Sequence, residues 1–390
     1  MEQVIVNIGS SSKKYALFRG DEKSLVWHFE KVGQDFKLAI TDGERSEYAI
    51  TSEEYQHAID RVIADCKLRG IDQIGAIAVR TVAPGEYFAE HRIVDDEFME
   101  RFAAQEYLAP LHIYPVRLEL SLIRNALPGA RIVAASDSAF HKTMPRVAKT
   151  YGLAEHIVSE HGFARYGYHG HSVASVWERL NQYEKEAPLG RTIVLHLGSG
   201  ASITALRDGA TVDTSMGFTP LEGLMMGTRS GSFDPSIVFA LLTAGKGRAE
   251  IESICNKESG LLGLSGASSD MRDIIRLSGE GDEKAGLALD LFVYEVLKTV
   301  GSYVAVLGGL DALVFTAAIG EGAPVVRDRI IDGLRGLGLS IDPVRNGQLL
   351  GAPGEPVFLD ISSAPSASKV FVVQTNESAS ILSALRGCLS

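Results

Sequence analysis

Two stretches of this chain carry nearly the same pattern. The first reads Val6-Asn7-Ile8-Gly9-Ser10-Ser11-Ser12-Lys13-Lys14-Tyr15-Ala16-Leu17-Phe18-Arg19-Gly20, and the second reads Leu195-His196-Leu197-Gly198-Ser199-Gly200-Ala201-Ser202-Ile203-Thr204-Ala205-Leu206-Arg207-Asp208-Gly209. Each predicts an apolar strand, a tight Gly/Ser turn, a second strand and a polar glycine turn. Two such hairpins indicate a duplicated domain.

Both turns are rich in glycine and serine, and this composition suits a phosphate ligand. Such a turn offers backbone N–H groups and hydroxyls with little side-chain bulk around them. Two of these hairpins facing each other across a cleft are typical of phosphotransferases with the actin-like fold.

The composition is that of an ordinary globular protein. The chain has 390 residues, of which 45% are hydrophobic and 22% are charged. This length favours two domains with sizeable cores. The net charge of −11 argues against a nucleic-acid partner, because such partners favour a basic surface.

Cysteine and targeting signals lead us to expect a cytoplasmic protein with no membrane segment. The three widely spaced cysteines, Cys66, Cys255 and Cys388, form neither a disulfide framework nor a zinc motif. The first residues enter a predicted strand directly, so we expect no signal peptide. No apolar run reaches the roughly 18 residues of a membrane span.

Strands and helices alternate in both halves, which predicts an α/β fold. We expect duplicated actin-like (ribonuclease H-like) domains with mixed five-stranded sheets, flanking helices and a cleft between the domains. The predicted strands cover residues 3–8, 14–18, 26–30, 36–40, 47–50, 74–79, 131–135, 192–197, 312–316 and 370–373. The predicted helices cover residues 55–68, 96–105, 116–125, 235–244, 283–306 and 378–386.

Sequence breaks at Met144-Pro145 and Tyr151-Gly152 mark the predicted domain boundary. We expect residues 1–150, together with about 378–390, to form the first domain. Residues 151–377 would form the second domain.

One long and specific motif resembles the signature of the acetate kinase family. It reads Asp213-Thr214-Ser215-Met216-Gly217-Phe218-Thr219-Pro220-Leu221-Glu222-Gly223-Leu224-Met225-Met226-Gly227-Thr228-Arg229-Ser230-Gly231. Further segments resemble the family in the same order along essentially the whole chain: Asn7-x-Gly9-Ser10-Ser11-Ser12-x-Lys14, Ala139-Phe140-His141-x-Thr143-Met144-Pro145, Arg165-Tyr166-Gly167-Tyr168-His169-Gly170, Phe315-Thr316-x-x-Ile319-Gly320-Glu321 and Thr375-Asn376-Glu377.

The resemblance implies a reversible, direct in-line transfer of the terminal phosphoryl group of ATP to acetate or a similar short-chain carboxylate. Mg²⁺ or Mn²⁺ would assist, and the product would be an acyl phosphate. It also implies a homodimer formed through the second domain, which would bind the nucleotide. A carboxylate is already ionised at neutral pH, so the chemistry needs positioning and charge neutralisation rather than a general base.

The resemblance assigns catalytic roles to four residues. Arg80 and Arg229 would flank the substrate carboxylate and the phosphoryl group, because a guanidinium fork matches both anions. His169 would donate a hydrogen bond to the phosphoryl group. Asp137, which ends an apolar strand, would hold the metal with Glu377 and Asn7, since Mg²⁺ usually takes one or two protein carboxylates.

Two further sets of residues line the predicted ligand sites. The acyl substrate would contact Arg80, Val82, Leu111, Tyr168 and Pro220. Phosphates and the nucleotide would contact Asn7, Ser10, Ser12, Lys14, His196, Gly198, Ser199, Gly200, Asp270, Arg272, Gly320 and Glu321.

The chain departs from the family pattern around both ligands, and this leaves alternatives open. Ala83 stands where the family has histidine, Ser199 replaces asparagine, Tyr168 replaces phenylalanine, and Ala318 replaces glycine. The same chemistry on propionate, butyrate or another small acid, or with another phosphoryl donor, fits these changes. Two further alternatives belong to other classes. One is a sugar-type kinase, which would need an aspartate base, and the other is a nucleotide-binding regulator with little turnover.

Overall fold

The computed structural model describes residues 2–9, 12–108, 110–183, 189–348, 350 and 357–390, without the side chains of residues 110–112 and 183. The strands are β1 (Glu2–Ile8), β2 (Ser12–Arg19), β3 (Glu22–Val32), β4 (Asp35–Asp42), β5 (Glu44–Ile50), β6 (Ile74–Thr81), β7 (Arg92–Ile93), β8 (Arg131–Ser136), β9 (Arg191–Leu197), β10 (Ala201–Arg207), β11 (Ala210–Thr214), β12 (Ala312–Thr316), β13 (Phe358–Asp360) and β14 (Lys369–Val373).

The α-helices are α1 (Ser52–Gln56), α2 (Ala58–Leu68), α3 (Asp96–Ala104), α4 (Pro110–Ala126), α5 (Arg146–Lys149), α6 (Glu155–His161), α7 (Gly170–Tyr183), α8 (Ser236–Thr243), α9 (Arg248–Lys257), α10 (Gly260–Ser265), α11 (Met271–Gly279), α12 (Glu283–Leu307), α13 (Ala317–Gly322), α14 (Pro324–Gly333), α15 (Pro343–Asn346) and α16 (Glu377–Leu389). Short 3₁₀ helices cover Glu86–Phe88, Ala139–Thr143 and Arg335–Leu337. Each helix in the described residues is too short or too polar to cross a membrane.

The chain divides into two compact units. Unit 1 comprises residues 1–139 and 376–390, and unit 2 comprises residues 140–375. The sequence placed the first boundary at about 150, but unit 2 begins earlier because Phe140 already packs against its core. The return to unit 1 falls at Asn376, whose side chain caps the first turn of α16.

Unit 1 is built on an eight-stranded mixed sheet in the order β5-β4-β3-β2-β1-β6-β8-β7. Strands β1, β6 and β8 run parallel, and β1 to β5 form an antiparallel meander. One face buries apolar side chains of α2, α3 and α4. On the other face, Ile5, Ala78 and Val133 pack against Ile381 and Leu385 of α16.

Unit 2 repeats this plan on a six-stranded sheet in the order β11-β10-β9-β12-β14-β13. Its strands β9, β12 and β14 are parallel, and α7 packs apolar side chains against them. The shared order β3-β2-β1-β6-β8 and β11-β10-β9-β12-β14 confirms the duplicated actin-like arrangement.

The strand count of the prediction was wrong, because both sheets extend beyond five strands. In unit 1 the predicted strands 36–40 and 47–50 join the same sheet as β4 and β5, since Leu38 and Ile40 are buried in the same core as β3, and the two-residue β7 pairs with β8. In unit 2 the three-residue β13 pairs with β14.

A buried ion pair connects strand β2 of the first hairpin to helix α4. The Lys13 ammonium lies 2.6 Å from Glu119 Oε2, and both side chains are nearly inaccessible to solvent. Lys13 also donates to the carbonyl of Gln56 at 2.9 Å, and the Tyr15 hydroxyl donates to Glu119 Oε1. The pair therefore links β2 to α1 and α4 through polar contacts inside an apolar core.

We expect Lys13→Met to lower the free energy of unfolding by about 3–5 kcal/mol, because it leaves the buried Glu119 carboxylate without its cation. Adding Glu119→Gln should recover most of this loss, since the double variant carries no buried charge and keeps an acceptor for Tyr15. Urea unfolding followed by circular dichroism measures both.

The exposed Arg45–Glu47 pair of unit 1 supplies the control. Glu47→Gln should change the free energy of unfolding by less than about 1 kcal/mol. A double variant as unstable as Lys13→Met would contradict the charge-burial explanation.

Candidate active site

An arginine and an aspartate are paired at the carboxyl edge of the unit 1 sheet. Arg80 belongs to β6, one residue before its end, rather than following the strand as the sequence suggested, and Asp137 directly follows the neighbouring strand β8. Arg80 Nε donates to Asp137 Oδ1 at 3.2 Å, and Nη2 donates to Oδ2 at 2.8 Å. Asp137 is fully buried, so this bidentate contact compensates a charge that water cannot reach.

Asn7 and Glu377 complete the group. Asn7 lies near the end of β1, beside β6, and Glu377 is the first residue of α16. Asn7 Nδ2 donates to Glu377 Oε2 at 3.2 Å, and Arg80 Nη1 lies 3.4 Å from Asn7 Oδ1 and 3.8 Å from Glu377 Oε2. Burial acts to lower the pKa of Arg80, but the charges of Asp137 and Glu377 outweigh it and raise that pKa.

The donor chemistry of this group suits a hard divalent cation. Asp137, Glu377 and Asn7 offer oxygen atoms around one arginine, and Mg²⁺ prefers oxygen ligands from one or two carboxylates plus phosphate and water. Among the described residues, His, Cys, Asp and Glu form no cluster of three or more that could hold a metal. The oxygen donors of Asp137, Glu377 and Asn7 would suit Mg²⁺ or Mn²⁺ together with phosphate and water.

The first hairpin places its polar residues beside Asn7. Asn7 faces Lys14 across the β1–β2 pair, and the Gly9 N–H donates to the Ser12 carbonyl at 2.8 Å to close the turn. Partial desolvation and the charge of Lys23 lower the pKa of Lys14, while Glu377 acts to raise it. Ser10 lies outside the described residues.

In unit 2, the second hairpin turn lies under a histidine and an arginine. The Gly198 N–H donates to the Gly200 carbonyl at 3.0 Å. A Cβ atom at Gly200 would stand 3.3 Å from His169 Nε2 and 3.7 Å from Arg229 Nη1. The two predicted catalytic side chains therefore both lie next to Gly200.

His169 has a constrained conformation. Its φ of +60° lies in the left-handed region, which costs about 1 kcal/mol or more for a residue with a Cβ. Its Nδ1 lies 2.9 Å from Ser202 Oγ, and its ring stacks on that of His196 at a centroid distance of 3.9 Å. His196 Nδ1 in turn lies 2.7 Å from Ser172 Oγ, so serine hydroxyls orient both rings.

Arg229 and Tyr168 each contact the backbone of the signature loop, residues 213–231. Arg229 Nη1 donates to the Pro220 carbonyl at 3.2 Å. The hydroxyl of the buried Tyr168 donates to the Phe218 carbonyl at 2.6 Å. The extra hydroxyl that Tyr168 brings is therefore satisfied by protein.

The predicted acyl pocket stays a prediction. Tyr168 and Pro220 are both buried in unit 2, and Val82 is a partly buried residue of unit 1. Leu111 lies in the first turn of α4, and its side chain lies outside the described part of the chain. Ala83, one of the departures, is buried in the core of unit 1.

The predicted nucleotide residues of unit 2 lie in three places: the second hairpin, the start of α11, and α13. The Ser199 carbonyl accepts from the Gly227 N–H at 3.1 Å, and a Cβ at Gly227 would stand 3.1 Å from the Ser269 carbonyl, so this loop adjoins the hairpin. Asp270 caps α11 and pairs with the exposed Arg272. These contacts give Asp270 a structural role that the sequence analysis did not foresee.

Gly320 and Glu321 lie in α13, which begins with a strained residue beside Gly198. Ala317 has a φ of +66°, and a Cβ at Gly198 would stand 3.6 Å from the Ala317 Cβ. Glu321 Oε1 accepts from the backbone N–H groups of Ala317 at 2.8 Å and Thr375 at 3.1 Å. Burial raises the pKa of Glu321, although these two N–H groups act to lower it. Glu321 thus stabilises this turn.

Sequence reasoning missed Arg327, which holds α13 in place. This buried arginine donates to the carbonyls of Gly320 and Glu321 at 2.8 Å each and to Asn346 Oδ1 at 2.7 Å. Burial lowers its pKa to about 10. A signal was available, because Arg327 lies among Val326, Ile330 and Ile331 on the helical pattern that marks a buried face.

Comparison with known proteins relates the chain to short-chain carboxylate kinases. The profile of the acetokinase family matches residues 2–383. The chain is 39% identical to the acetate kinase of Methanosarcina thermophila, covering 98% of this chain and 95% of that protein. It is also 39% identical to the acetate kinase of Desulfitobacterium hafniense strain Y51, covering 97% of this chain and 96% of that protein.

Solved structures agree with this relationship. The propionate kinase of Francisella tularensis superposes with a TM-score of 0.91 at 34% identity, covering 99% of each chain. The acetate kinase of Porphyromonas gingivalis superposes with a TM-score of 0.87 at 34% identity, covering 100% of each chain.

We expect Ala317→Gly to leave the free energy of unfolding unchanged or to raise it by up to about 1 kcal/mol, because glycine relieves the left-handed strain. The neighbouring Ala318→Gly should lower it by about 0.5–1 kcal/mol, since Ala318 lies in an ordinary helical turn. Thermal and urea unfolding measure both. Equal destabilisation by the two substitutions would contradict the strained turn.

Proposed function

The chain belongs to the acetokinase family and is a carboxylate phosphotransferase, and we propose that it transfers the terminal phosphoryl group of ATP to acetate or a similar short-chain acid. The observation that carries the proposal is the convergence of His169 and Arg229 above the Gly198–Gly200 turn. A histidine and a cationic arginine beside one small-residue turn suit a group whose charge is spread over several oxygens.

The proposed step is a direct, reversible transfer. A carboxylate oxygen of the acid forms a bond to the terminal phosphorus, and the bond from that phosphorus to the bridging oxygen breaks. ADP leaves with the electron pair, and the product is an acyl phosphate. No proton has to be removed from the acceptor, because the acid is ionised at neutral pH.

Each residue of the group then has a specific role. In unit 2, His169 and Arg229 donate to the phosphoryl oxygens, and Ser202 orients the His169 ring. In unit 1, Arg80 binds anionic oxygens of the substrate, and Asp137 fixes the guanidinium. A divalent cation held by Asp137, Glu377 and Asn7 would neutralise phosphate charge.

The test is a hydroxylamine-trapping assay for acyl phosphate with MgATP and formate, acetate, propionate, butyrate or isobutyrate. We expect clear turnover on at least one acid, and the ratios of kcat/KM identify the preferred one. The similarity to a propionate kinase structure makes propionate the second candidate. An apolar pocket separates acids that differ by one methylene by only about 1–3 kcal/mol.

Absence of acyl phosphate from every acid, with nucleotide binding intact, would overturn the proposal. Repeating the assay with pyrophosphate or another nucleoside triphosphate would then test a different donor. The replacement of the family glycine by Ala318 motivates this alternative. Failure with every donor would favour a nucleotide-binding regulator.

We expect Gly200→Ala to lower kcat at least tenfold, because its methyl group would enter the space below His169 and Arg229, and small misplacements at a reacting centre cost up to about 100-fold. Gly301→Ala in α12 is the matched control, since a Cβ there meets nothing within 4 Å. It should keep full activity. Full activity of Gly200→Ala would show that this space is not used.

We also propose a homodimer that buries α8. This helix has no buried residue in the described chain, and its apolar side chains are strongly exposed: Phe239 at 65%, and Ile237 and Leu242 at 48% each. A helix that shows so much apolar surface favours a protein partner, and a second copy of the chain is the occupant that the family resemblance implies.

We expect light scattering to give twice the 41.9 kDa chain mass for the wild type and a single chain mass for Phe239→Glu, because a charge inside the interface is costly. Val344→Glu, at a residue that is 76% exposed, should stay dimeric. A monomeric wild type would contradict the dimer.

A further inference from the structure

We propose that Glu222 is a positioning residue that sets the distance between His169 and Arg229. Two segments of unit 2 carry these side chains. Residues 165–169 end in His169, and the signature loop carries Arg229. Glu222 belongs to the signature loop but bonds to the other segment, so it ties the two together. The inference rests on the proposed function for its kinetic consequences only.

Two side chains meet at the Glu222 carboxylate. Oε1 accepts from Arg165 Nε at 3.0 Å and lies 2.9 Å from Nη2, and Oε2 accepts from the Tyr151 hydroxyl. The Arg165 guanidinium also lies over the Tyr151 ring, 4.5 Å from its centroid. Burial acts to lower the pKa of Arg165, but the charge of Glu222 raises it above the usual value.

Two backbone hydrogen bonds beside Glu222 also connect the signature loop to the segment that carries Tyr151 and Tyr166. The Tyr151 oxygen accepts from the Phe218 N–H at 2.8 Å, while the Gly217 carbonyl accepts from the Tyr166 N–H at 3.1 Å. The residues from Gly217 to Glu222 therefore hold residues 165–169 at a fixed distance from the signature loop. Pro220 lies in this interval, and its carbonyl accepts from Arg229, which carries the constraint to the second catalytic side chain.

The contact between Glu222 and Tyr151 requires a residue without a side chain at position 217. A Cβ at Gly217 would stand 1.6 Å from Glu222 Oε2 and 2.3 Å from the Tyr151 oxygen. A cavity of about 350 Å³ also adjoins Glu222, with Arg165 and Leu224 in its wall. Apolar packing thus leaves one side of Glu222 open, and its position depends on the bonds to Arg165 and Tyr151.

The test compares Glu222→Gln, Tyr151→Phe and the double variant with wild type. We expect Glu222→Gln to lower kcat about 10- to 100-fold with the KM for ATP changed less than about threefold, since the hairpin contacts of the nucleotide residues remain. The double variant should be little worse than Glu222→Gln, because both substitutions break one network. Arg165→Lys should retain more activity than Arg165→Met, because it keeps the charge.

The matched control is the Arg191–Asp311 pair of the same unit. It is bidentate and similarly exposed, but it lies at the start of β9, at the opposite end of that strand from Gly198. Asp311→Asn should lower the thermal midpoint by an amount similar to Glu222→Gln while kcat stays within about twofold of wild type. Equal losses of kcat in the two variants would overturn the positioning role.

Amide hydrogen exchange tests the proposal without any activity. In Glu222→Gln, peptides covering residues 163–169 and 217–229 should exchange at least about tenfold faster, and peptides of β9 and β10 should not change. Unchanged exchange in those segments, or full kcat, would overturn the inference. A wild type that forms no acyl phosphate would remove the proposed function but leave this exchange result decisive.

Discussion

The ion pair between Arg80 and Asp137 is the contact on which the organisation of unit 1 depends. It joins neighbouring parallel strands at the edge where their side chains point past the sheet, which is where ligands bind in α/β folds. Asn7 and Glu377 join it from the first strand and the last helix. Because Asp137 is fully buried, loss of the arginine would remove the bidentate partner of a buried charge, so this group fixes the relative positions of four elements.

Unit 2 has the same strand order as unit 1, but different contacts position its polar side chains. Its hairpin turn carries small residues, and serine hydroxyls and backbone carbonyls contact its His169, His196, Tyr168 and Arg229 side chains directly. The strain accepted at His169 and Ala317 is concentrated on either side of that turn. Duplication thus gave two scaffolds of one design, and the residues at equivalent edges diverged into a charged group and a mostly neutral one.

The sequence was sufficient for the repeated hairpins and for most strands and helices, because period-two and helical patterns are local. The position of Asp137 directly after a buried strand could be predicted for the same reason, whereas the role of Arg80 was inferred from the family resemblance. Contacts between distant segments could not be predicted. Nothing in the sequence pairs Lys13 with Glu119 or Glu222 with Tyr151, because such pairing depends on tertiary packing that no local pattern encodes. Ser10 and the Leu111 side chain lie outside the described residues, and the functional roles of all the named site residues stay predictions.

The return of α16 to unit 1 has a consequence for synthesis of the chain. Glu377 and the apolar face of α16 follow unit 2 in the order of translation, so the ribosome completes the second unit before the first has its outer layer. Until then, Ile5, Ala78 and Val133 lack the partners that cover them in the folded protein. A nascent chain therefore carries an unfinished polar edge, and the α16 residues that emerge after unit 2 both close the core and supply the Glu377 carboxylate.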